Sequence, residues 1–202
     1  MARTVTLILG GASSGKSTFA EGLALDLSNT SGVTYIATAD SLDREMAYRI
    51  ERHKSRRPKH WQTWEKDICT LPEALGSMNG VLLLDCLTMY LTRLFLASPS
   101  AESDDESAWV STEQMLLDSV ARIFETLPAE TSPGPFVQIT DFDPPTHLIV
   151  VSNEVGFGVV PPSLMGRRFR DIQGRANQIA ASYADNVALI VAGLPLWIKG
   201  GL

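Results

Sequence analysis

The chain has 202 residues, of which 45% are hydrophobic and 20% charged, and its 17 basic and 23 acidic residues give a formal net charge of −6. That length suits one domain with a sizeable core, and the composition argues against a disordered, collagen-like or coiled-coil chain. The negative net charge argues against a protein that coats nucleic acid, and the two cysteines, Cys69 and Cys86, suggest a reducing compartment without a disulfide framework.

Five short apolar runs alternate with segments of helical periodicity. Such runs, rich in Val, Ile and Leu, are typical of buried parallel strands. They cover residues 5–9, 33–38, 81–85, 147–153 and 187–192. Between the first two runs, Phe19, Leu23 and Leu27 recur at helical spacing, and residues 115–127 form another amphipathic pattern. The alternation predicts a single α/β domain over residues 1–202, with a mostly parallel sheet flanked by helices.

A glycine-rich loop lies directly after the first run and before the first helical segment. It reads G-G-A-S-S-G-K-S and fits the pattern G-x-x-x-x-G-K-[ST]. Glycines let backbone N–H groups wrap a polyphosphate at a helix N-terminus, the lysine reaches the β- and γ-phosphates, and the last hydroxyl can bind Mg²⁺. The alternative is a turn that binds nothing. The predicted nucleotide-binding residues are Gly10, Gly11, Ala12, Ser13, Ser14, Gly15, Lys16 and Ser17.

A basic segment follows the second run, on a helix that Asp40 or Ser41 is predicted to cap. Residues 49–60 carry six basic residues and one acidic residue. In a nucleotide-binding protein such a cluster favours a phosphate clamp, whereas a solvated helix face and an RNA-binding stripe are the alternatives. His53 lies in this cluster. A lone histidine is most often a surface residue, but a neutral imidazole flanked by Arg and Lys is also a competent nucleophile towards phosphorus.

The third run ends in a carboxylate. Four apolar residues precede Asp85, and a phosphate loop needs an acid at the end of a neighbouring strand to hold the metal ion or its water. An aspartate that only caps the next helix is the alternative. With the phosphate loop present, we predict that Ser17 and Asp85 hold Mg²⁺.

Residues 97–146 differ from the rest of the chain in composition, with ten acidic residues and one basic residue, Arg122. The two ends of this segment, residues 98–107 and 128–145, are rich in Ser, Pro, Asp and Thr, which predicts mobile surface loops on either side of one helix. We interpret the segment as an acidic, loop-rich insertion in the single domain.

A second arginine cluster follows the fourth run. Residues 153–161 lead from a strand end into a glycine-containing loop, and residues 167–178 carry four arginines. On a helix, Arg167, Arg170 and Gly174 fall along one side. Polar groups at the carboxyl end of a strand are where α/β folds bind ligands, and an exposed, salt-bridged helix is the alternative.

No targeting or membrane-spanning segment is predicted. The first apolar run is far shorter than a signal-peptide core. The longest apolar stretch, residues 187–197, is broken by Gly193 and Pro195 and is too short to cross a bilayer. We expect a soluble cytoplasmic protein.

Taken in order, these motifs resemble one family closely. They are G-G-A-S-S-G-K-S at residues 10–17, Y-I-A-T-A at 35–39, D-x-E-M at 43–46, R-I-x-x-H-K at 49–54, R-P-x-x-W at 57–61, T-x-E at 63–65, L-D-C-L-T at 84–88, N-E-V-G at 153–156 and F-R-D-x-x-G-x-x-N-Q at 169–178. The set resembles the bifunctional adenosylcobinamide kinase / adenosylcobinamide-phosphate guanylyltransferase family of cobalamin biosynthesis. The resemblance covers nearly the whole chain outside residues 97–146.

The resemblance implies two reactions with small-molecule substrates. A nucleoside triphosphate, GTP or ATP, phosphorylates the aminopropanol hydroxyl of adenosylcobinamide. GTP then donates GMP to that phosphate through a GMP–histidine intermediate, and the histidine at the matching position of this chain is His53. Lys16 of the phosphate loop is the residue expected to assist phosphoryl transfer. The resemblance further implies a homo-oligomer and a phosphate-loop sheet with an antiparallel strand near the C-terminus. No nucleic acid partner is expected, because the net charge is negative and no RNA-binding module is present in the sequence. The nucleotide contacts that the family motifs add are Thr38, Ala39, Asp40, Arg57, Pro58, Lys59, His60, Glu65 and Asp85.

The chain departs from the family pattern at Ser13, where the family loop usually has arginine, so that one cation near the phosphates is absent. Two other functions remain open at this point. One is a single-function kinase of another small hydroxyl compound, with His53 structural. The other is a nucleotide-binding regulator without turnover.

Overall fold

The computed structural model describes residues 3–28, 32–40, 44–127 and 146–201, and for four residues of one helix, Glu45, Met46, Arg49 and Arg56, only the backbone. The strands are β1 (Arg3–Gly10), β2 (Val33–Ala37), β3 (Gln62–Trp64), β4 (Val81–Asp85), β5 (Thr146–Asn153), β6 (Asn186–Val191) and β7 (Leu194–Lys199). The helices are α1 (Lys16–Ser28), α2 (Arg44–Arg56), α3 (Leu71–Leu75), α4 (Leu87–Leu96), α5 (Glu106–Glu125) and α6 (Leu164–Tyr183), with 3-10 turns at Ile68–Thr70 and Pro99–Ala101. The predicted cap Ser41 and the motif residue Asp43 lie outside the described residues.

One seven-stranded sheet runs through the molecule in the order β3-β2-β4-β5-β1-β6-β7. Every neighbouring pair is parallel except β6 and β7, which are antiparallel. This confirms the predicted mostly parallel α/β sheet and its antiparallel strand near the C-terminus. The five predicted apolar runs coincide with β1, β2, β4, β5 and β6 to within two residues at either end.

The two faces of the sheet bury separate hydrophobic clusters, because successive side chains of a strand point to opposite sides. On one face, Val5 and Leu7 of β1 join residues of α3, α4, α5 and α6. On the other face, Ile8 joins Ala20 and Ala24 of α1. The strands are apolar on both sides because both faces carry helices, as the sequence pattern predicts.

The last apolar stretch of the chain forms two strands rather than one. Ala192 and Gly193 both have positive φ angles, 51° and 82°, and they form the two-residue turn between β6 and β7. Turns of this kind match the twist of antiparallel strands, and glycine adopts the required φ without strain. The turn also contacts the glycine-rich loop, since the N–H of Gly193 donates to the carbonyl of Ser14 over 2.8 Å.

The acidic segment is more ordered at its start than the sequence predicts. Residues 98–107 were expected to form a mobile loop, but they include a 3-10 turn with buried Ala101 and the first residues of α5. Asp105 caps this helix, its carboxylate accepting from the N–H groups of Ser107 and Ala108. The helix therefore starts well before residue 115. The second predicted loop, residues 128–145, lies outside the described residues.

Among the described residues, no helix has the length and apolar character needed to cross a membrane.

Candidate functional site

The carboxyl ends of four parallel strands meet at one edge of the sheet. Gly10 at the end of β1 is in register with Asn153 at the end of β5, and Ala37 at the end of β2 is in register with Asp85 at the end of β4. In α/β folds ligands bind outside the carboxyl ends of strands. The glycine-rich loop, the carboxylate and the basic helix predicted from the sequence all connect to this edge.

The glycine-rich loop joins β1 to α1 and is closely packed. A Cβ atom on Gly10, whose φ is +155°, would lie 2.6 Å from the carbonyl oxygen of Ile190. One on Gly15, whose φ is +101°, would lie 3.1 Å from the Cα of Gly193. Side chains at these positions would therefore open the loop. Because α1 begins at Lys16, the loop ends at a helix N-terminus, where free N–H groups favour an anion.

Lys16 is folded into the loop that it closes. Its side chain is 7% exposed, and Nζ donates to the carbonyl of Gly11 over 2.5 Å. Burial lowers the pKa of Lys16, while the nearby Cys86 and Asp85 act in the opposite direction. The Lys16 ammonium is thus bonded to the Gly11 carbonyl within the loop, and its contact with phosphate oxygens stays a prediction of the motif.

Asp85 joins two parts of the site that are distant in sequence. Its Oδ2 accepts from the hydroxyl of Tyr35 on β2 over 2.8 Å, and the same oxygen lies 3.8 Å from Nδ1 of His53 on α2. Burial, and then the negative charge of Asp85, raise the pKa of Tyr35 well above its usual value. The phenol is therefore protonated at neutral pH and donates to the carboxylate. The sequence predicts roles for His53 and Asp85 separately, and the structure brings them together.

The turn after α2, residues 57–60, reaches the same cluster through one arginine, and we name it the basic turn. The guanidinium carbon of Arg57 lies 3.2 Å from the ring centroid of Tyr35. Its Nε is buried and has no hydrogen-bond partner among the residues that the structure describes. Pro58 accepts from the N–H of Trp61 over 3.1 Å, which closes the turn.

The remaining predicted contacts lie at different distances from this centre. Lys59 and His60 are exposed on the turn. Glu65 pairs with Lys54 of α2 over 3.4 Å on the surface. These residues connect to the site through the basic helix and its turn, and the structure does not place them against the glycine-rich loop.

Three predicted contacts follow β2. Thr38 is fully buried, and its hydroxyl both donates to the carbonyl of Cys86 over 2.7 Å and accepts from the N–H of Cys86 over 2.8 Å. That hydroxyl therefore fixes the backbone next to Asp85. Ala39 follows and is partly buried, and Asp40 pairs with Arg93 of α4 over 2.7 Å.

A buried polar network beside the site was not predicted as functional. Ser152 donates to Asn177 over 2.7 Å, and Gln173 donates to both of them. The network holds Asn153 from both sides, because Thr88 accepts from its N–H and Asn177 donates to its carbonyl. The available signal was the polar residues on the inner side of α6, where apolar residues would be expected. This network fixes the end of β5 next to the glycine-rich loop.

Two arginines of the second cluster contact the acidic segment. Arg168 is buried, donates to carbonyls of residues 100–103 and pairs with Glu106 over 3.2 Å. Arg175 pairs with Glu113 over 2.7 Å. The carboxylate partners of these two arginines belong to α5, and the interpretation of the cluster as a ligand site stays a prediction.

The donor set at the edge suits magnesium better than a transition metal. No group of three or more His, Cys, Asp or Glu residues that could hold a metal occurs within the described ranges. Ser17 and Asp85 offer a hydroxyl and a carboxylate. Mg²⁺ is usually held by one or two such oxygens together with substrate phosphates and water, so these residues fit that ion.

Comparison with known proteins adds a family to this geometry. The family model described as "Cobinamide kinase / cobinamide phosphate guanyltransferase" matches residues 6–198. The chain is 38% identical over 198 residues to the Escherichia coli K12 "Bifunctional adenosylcobalamin biosynthesis protein CobU", covering 96% of this chain and 98% of that protein. It is 36% identical over 195 residues to the Salmonella typhimurium LT2 protein of the same name, with the same coverage.

A third relative agrees, and a solved structure is more distant. The Pseudomonas aeruginosa PAO1 "Bifunctional adenosylcobalamin biosynthesis protein CobP" is 37% identical over 196 residues, 96% of each chain. A KaiC-like protein, PH0186 from Pyrococcus horikoshii OT3, matches with a TM-score of 0.40 and 12% identity over 92% of this chain and 70% of that chain. The family-model match and the three full-length relatives show that this chain belongs to the cobinamide kinase / cobinamide phosphate guanyltransferase family.

Proposed function

We propose that this protein phosphorylates the aminopropanol hydroxyl of adenosylcobinamide and then transfers GMP from GTP to the product, releasing adenosylcobinamide-GDP and pyrophosphate. One observation carries the proposal within the family. The His53–Asp85 pair stands at the same sheet edge as a complete phosphate loop. A kinase alone needs the loop, whereas guanylyl transfer through a covalent intermediate also needs a nucleophile there.

In the first reaction the loop residues Gly10–Ser17 bind the triphosphate and Lys16 stabilises charge on the transferred phosphoryl group. Ser17 and Asp85 hold Mg²⁺, which neutralises charge on the phosphate oxygens when bound. The acceptor hydroxyl oxygen forms a bond to the γ-phosphorus, the bond to the leaving nucleoside diphosphate breaks, and the hydroxyl proton passes to solvent water. GTP and ATP both fit this role, because the loop contacts phosphates.

In the second reaction His53 is the nucleophile. Asp85 faces Nδ1, so we assign the attack to Nε2, whose lone pair is available when the proton resides on Nδ1. Nε2 forms a bond to the α-phosphorus of GTP as the bond to pyrophosphate breaks. A phosphate oxygen of the cobinamide phosphate then displaces His53 and forms the diphosphate bond.

The remaining nucleotide contacts are proposed on the family motifs. Arg57, whose buried Nε has no partner within the described part of the chain, is the arginine that we expect to approach the α-phosphate or the leaving pyrophosphate. The contacts at the edge after β2 are Thr38, Ala39 and Asp40. The others lie on the basic turn and directly after the strand that follows it, and they are Pro58, Lys59, His60 and Glu65.

We also propose a homo-oligomer, without a nucleic acid partner, in the cytoplasm. The support for the homo-oligomer is strand β7, which lies at one end of the sheet and exposes Leu194, Leu196 and Ile198. Three exposed aliphatic side chains on an edge strand are typical of an interaction surface.

The covalent step is tested with GTP labelled at the α- or the γ-phosphate. We expect an acid-labile protein adduct that keeps the α-label and loses the γ-label, and that is absent in His53→Ala. The control is His147→Asn, because His147 is at the amino end of β5, away from the site edge; this variant should form the adduct.

The alternatives predict different products with GTP, Mg²⁺ and adenosylcobinamide. A single-function kinase makes adenosylcobinamide phosphate without adduct or pyrophosphate. A regulator consumes no GTP. Detection of either pattern in the wild-type protein would refute the proposal.

A further inference from the structure

The connection from β5 to α6, residues 154–163, exposes an unusual amount of apolar surface. We name it the apolar loop. Phe157 is 83% exposed, Val159 95% and Val160 60%. Single exposed apolar residues are normal on a protein surface, but three bulky ones within four positions mark an interaction site.

The apolar loop is held at both ends. At its start, the N–H of Glu154 donates to the carbonyl of Gly10 over 3.0 Å, and the Glu154 carboxylate accepts from the N–H of Gly156 over 2.8 Å. At its end, Arg167 donates to the carbonyls of Pro161 and Pro162 over 3.2 and 2.7 Å. The exposed side chains are thus presented from anchored backbone.

The position of the apolar loop relates it to the phosphate site. Gly10 is the first residue of the glycine-rich loop, and Glu154 is bonded to it directly. Phe157 follows three residues later, so its Cα lies at most about 11 Å from that of Glu154. The bond to Gly10 therefore keeps Phe157 within reach of the glycine-rich loop, and Val159 and Val160 follow on the same anchored segment.

We propose that Phe157, Val159 and Val160 bind the corrin macrocycle of the acceptor substrate; this assignment rests on the proposed function. The reacting hydroxyl of a cobinamide is on a flexible aminopropanol arm. The macrocycle that carries the arm is too bulky to enter a phosphate loop, and its periphery bears methyl groups between amide side chains. It therefore has to rest on the protein surface next to the glycine-rich loop. Apolar side chains at that place gain stability by covering the methyl groups, while the amide side chains stay in water.

A second copy of the chain is a poorer occupant for this surface. A stable protein interface buries about 800 Å² on each partner, and three side chains at one loop supply only part of that area. A copy seated there would also cover the entrance for the acceptor. The exposed side chains of β7 offer a separate surface for self-association.

The test uses the double variant Phe157→Ser, Val159→Ser and the conservative variant Phe157→Leu. For the double variant we expect the KM for cobinamide in the kinase reaction to rise about tenfold to a hundredfold, while the KM for the nucleotide and kcat change less than about twofold. Phe157→Leu retains an apolar surface and should stay within about threefold of the wild type. The matched control is Val110→Ser on α5, an exposed apolar residue, which should leave all three constants unchanged.

Direct binding separates this proposal from the proposed function. Equilibrium dialysis of cobinamide, read by its visible absorption, should give weaker binding to the double variant than to the wild type. If the wild-type protein binds cobinamide through the apolar loop but does not phosphorylate it, the proposed function alone is refuted. Equal cobinamide binding and KM in both proteins refutes the loop assignment, and so does a change of oligomer size in the double variant, which would identify the occupant as a second copy.

Discussion

Tyr35 connects the carboxylate of the site to the basic turn. Its phenol donates to Asp85, and Arg57 lies over its ring. We predict that Tyr35→Phe slows formation of the GMP–His53 adduct by about tenfold, because Asp85 loses the donor that fixes the oxygen facing the histidine. The KM for GTP should change less than about threefold, since the ring under Arg57 remains. Tyr35 is in this sense a positioning residue, and the readout is a single-turnover rate with labelled GTP.

The control for this prediction is another buried tyrosine. Tyr90 on α4 donates to the carbonyl of Ser119 over 3.4 Å in the core, away from the site. Each Tyr→Phe change should lower the free energy of unfolding by about 1 kcal/mol. Only the change at position 35 should slow the adduct. Equal rates in the two variants would show that the Tyr35 hydroxyl is structural only.

At the scale of elements, one buried arginine of α6 holds the 3-10 turn and the start of α5. Arg168 donates to the carbonyls of Ser100, Ala101 and Ser103, pairs with Glu106 and lies 4.7 Å from the ring centroid of Trp109. We predict that Arg168→Met lowers the free energy of unfolding by about 3 kcal/mol, because these carbonyls lose a charged donor. The measurement is a urea titration of wild type and variant with equal slopes.

A milder variant separates the carbonyl contacts from the ion pair. Glu106 is 77% exposed on its side chain, and exposed ion pairs contribute about 0–1 kcal/mol. Glu106→Gln should therefore cost less than about 1 kcal/mol. If both variants cost the same, the ion pair and not the backbone contacts would join the helices.

The elements that the sequence predicts well are those with a strong local signal. The strand before the glycine-rich loop, the run ending in Asp85 and the antiparallel strand all appear where the periodicity or the family motifs put them. Strand β3 was missed because Gln62–Trp64 is only 3 residues long and pairs with β2 through a long-range contact that carries no periodicity. The start of α5 was missed because the Ser- and Asp-rich composition that predicts a loop is also that of a helix cap.

In the site, too, the residues with a local sequence signal could be predicted, whereas the contacts between distant residues could not. The sequence predicts the loop, His53 and Asp85 from motif and position. The hydrogen bond from Tyr35 and the stacking of Arg57 on its ring could not be predicted, because both depend on which side chains of β2 and the basic turn meet after folding. The carboxylate partners of Arg168 and Arg175 could not be predicted either, because they lie some 60 residues away in the chain.

At the scale of the whole molecule, the net charge of −6 is the sum of an acidic segment and a basic remainder. Residues 97–146 carry ten acidic residues and one basic residue, more negative charge than the entire chain, so the remainder is net positive. In the part of the segment that the structure describes, carboxylates of α5 pair with arginines of α6. Near the site edge lie Lys16, at the start of α1, and the basic residues of α2 and its turn. A cationic nucleotide site is thus compatible with an acidic protein.

The assembly of the molecule is predicted from the free edge of its sheet. Leu194, Leu196 and Ile198 alternate along β7 with residues of the opposite side, among which Trp197 packs against Phe19 of α1 with ring centroids 6.2 Å apart. The Trp197 side is thus covered by this chain, whereas the leucine side is exposed. If that side is the contact between copies, Leu196→Lys places a charge in a dry interface, which is strongly unfavourable.

We therefore expect Leu196→Lys to convert the wild-type oligomer into a monomer of unchanged fold. Sedimentation velocity at several concentrations measures the mass, and circular dichroism checks the fold. Val110→Lys introduces the same charge at an exposed apolar position of α5 and should leave the oligomer intact. A wild type that sediments as a monomer at every concentration would contradict the proposed oligomer. An oligomer that survives Leu196→Lys would show that the contact between copies is not on β7. In either case β7 would be an exposed edge strand, whose exposed backbone groups make it prone to aggregation.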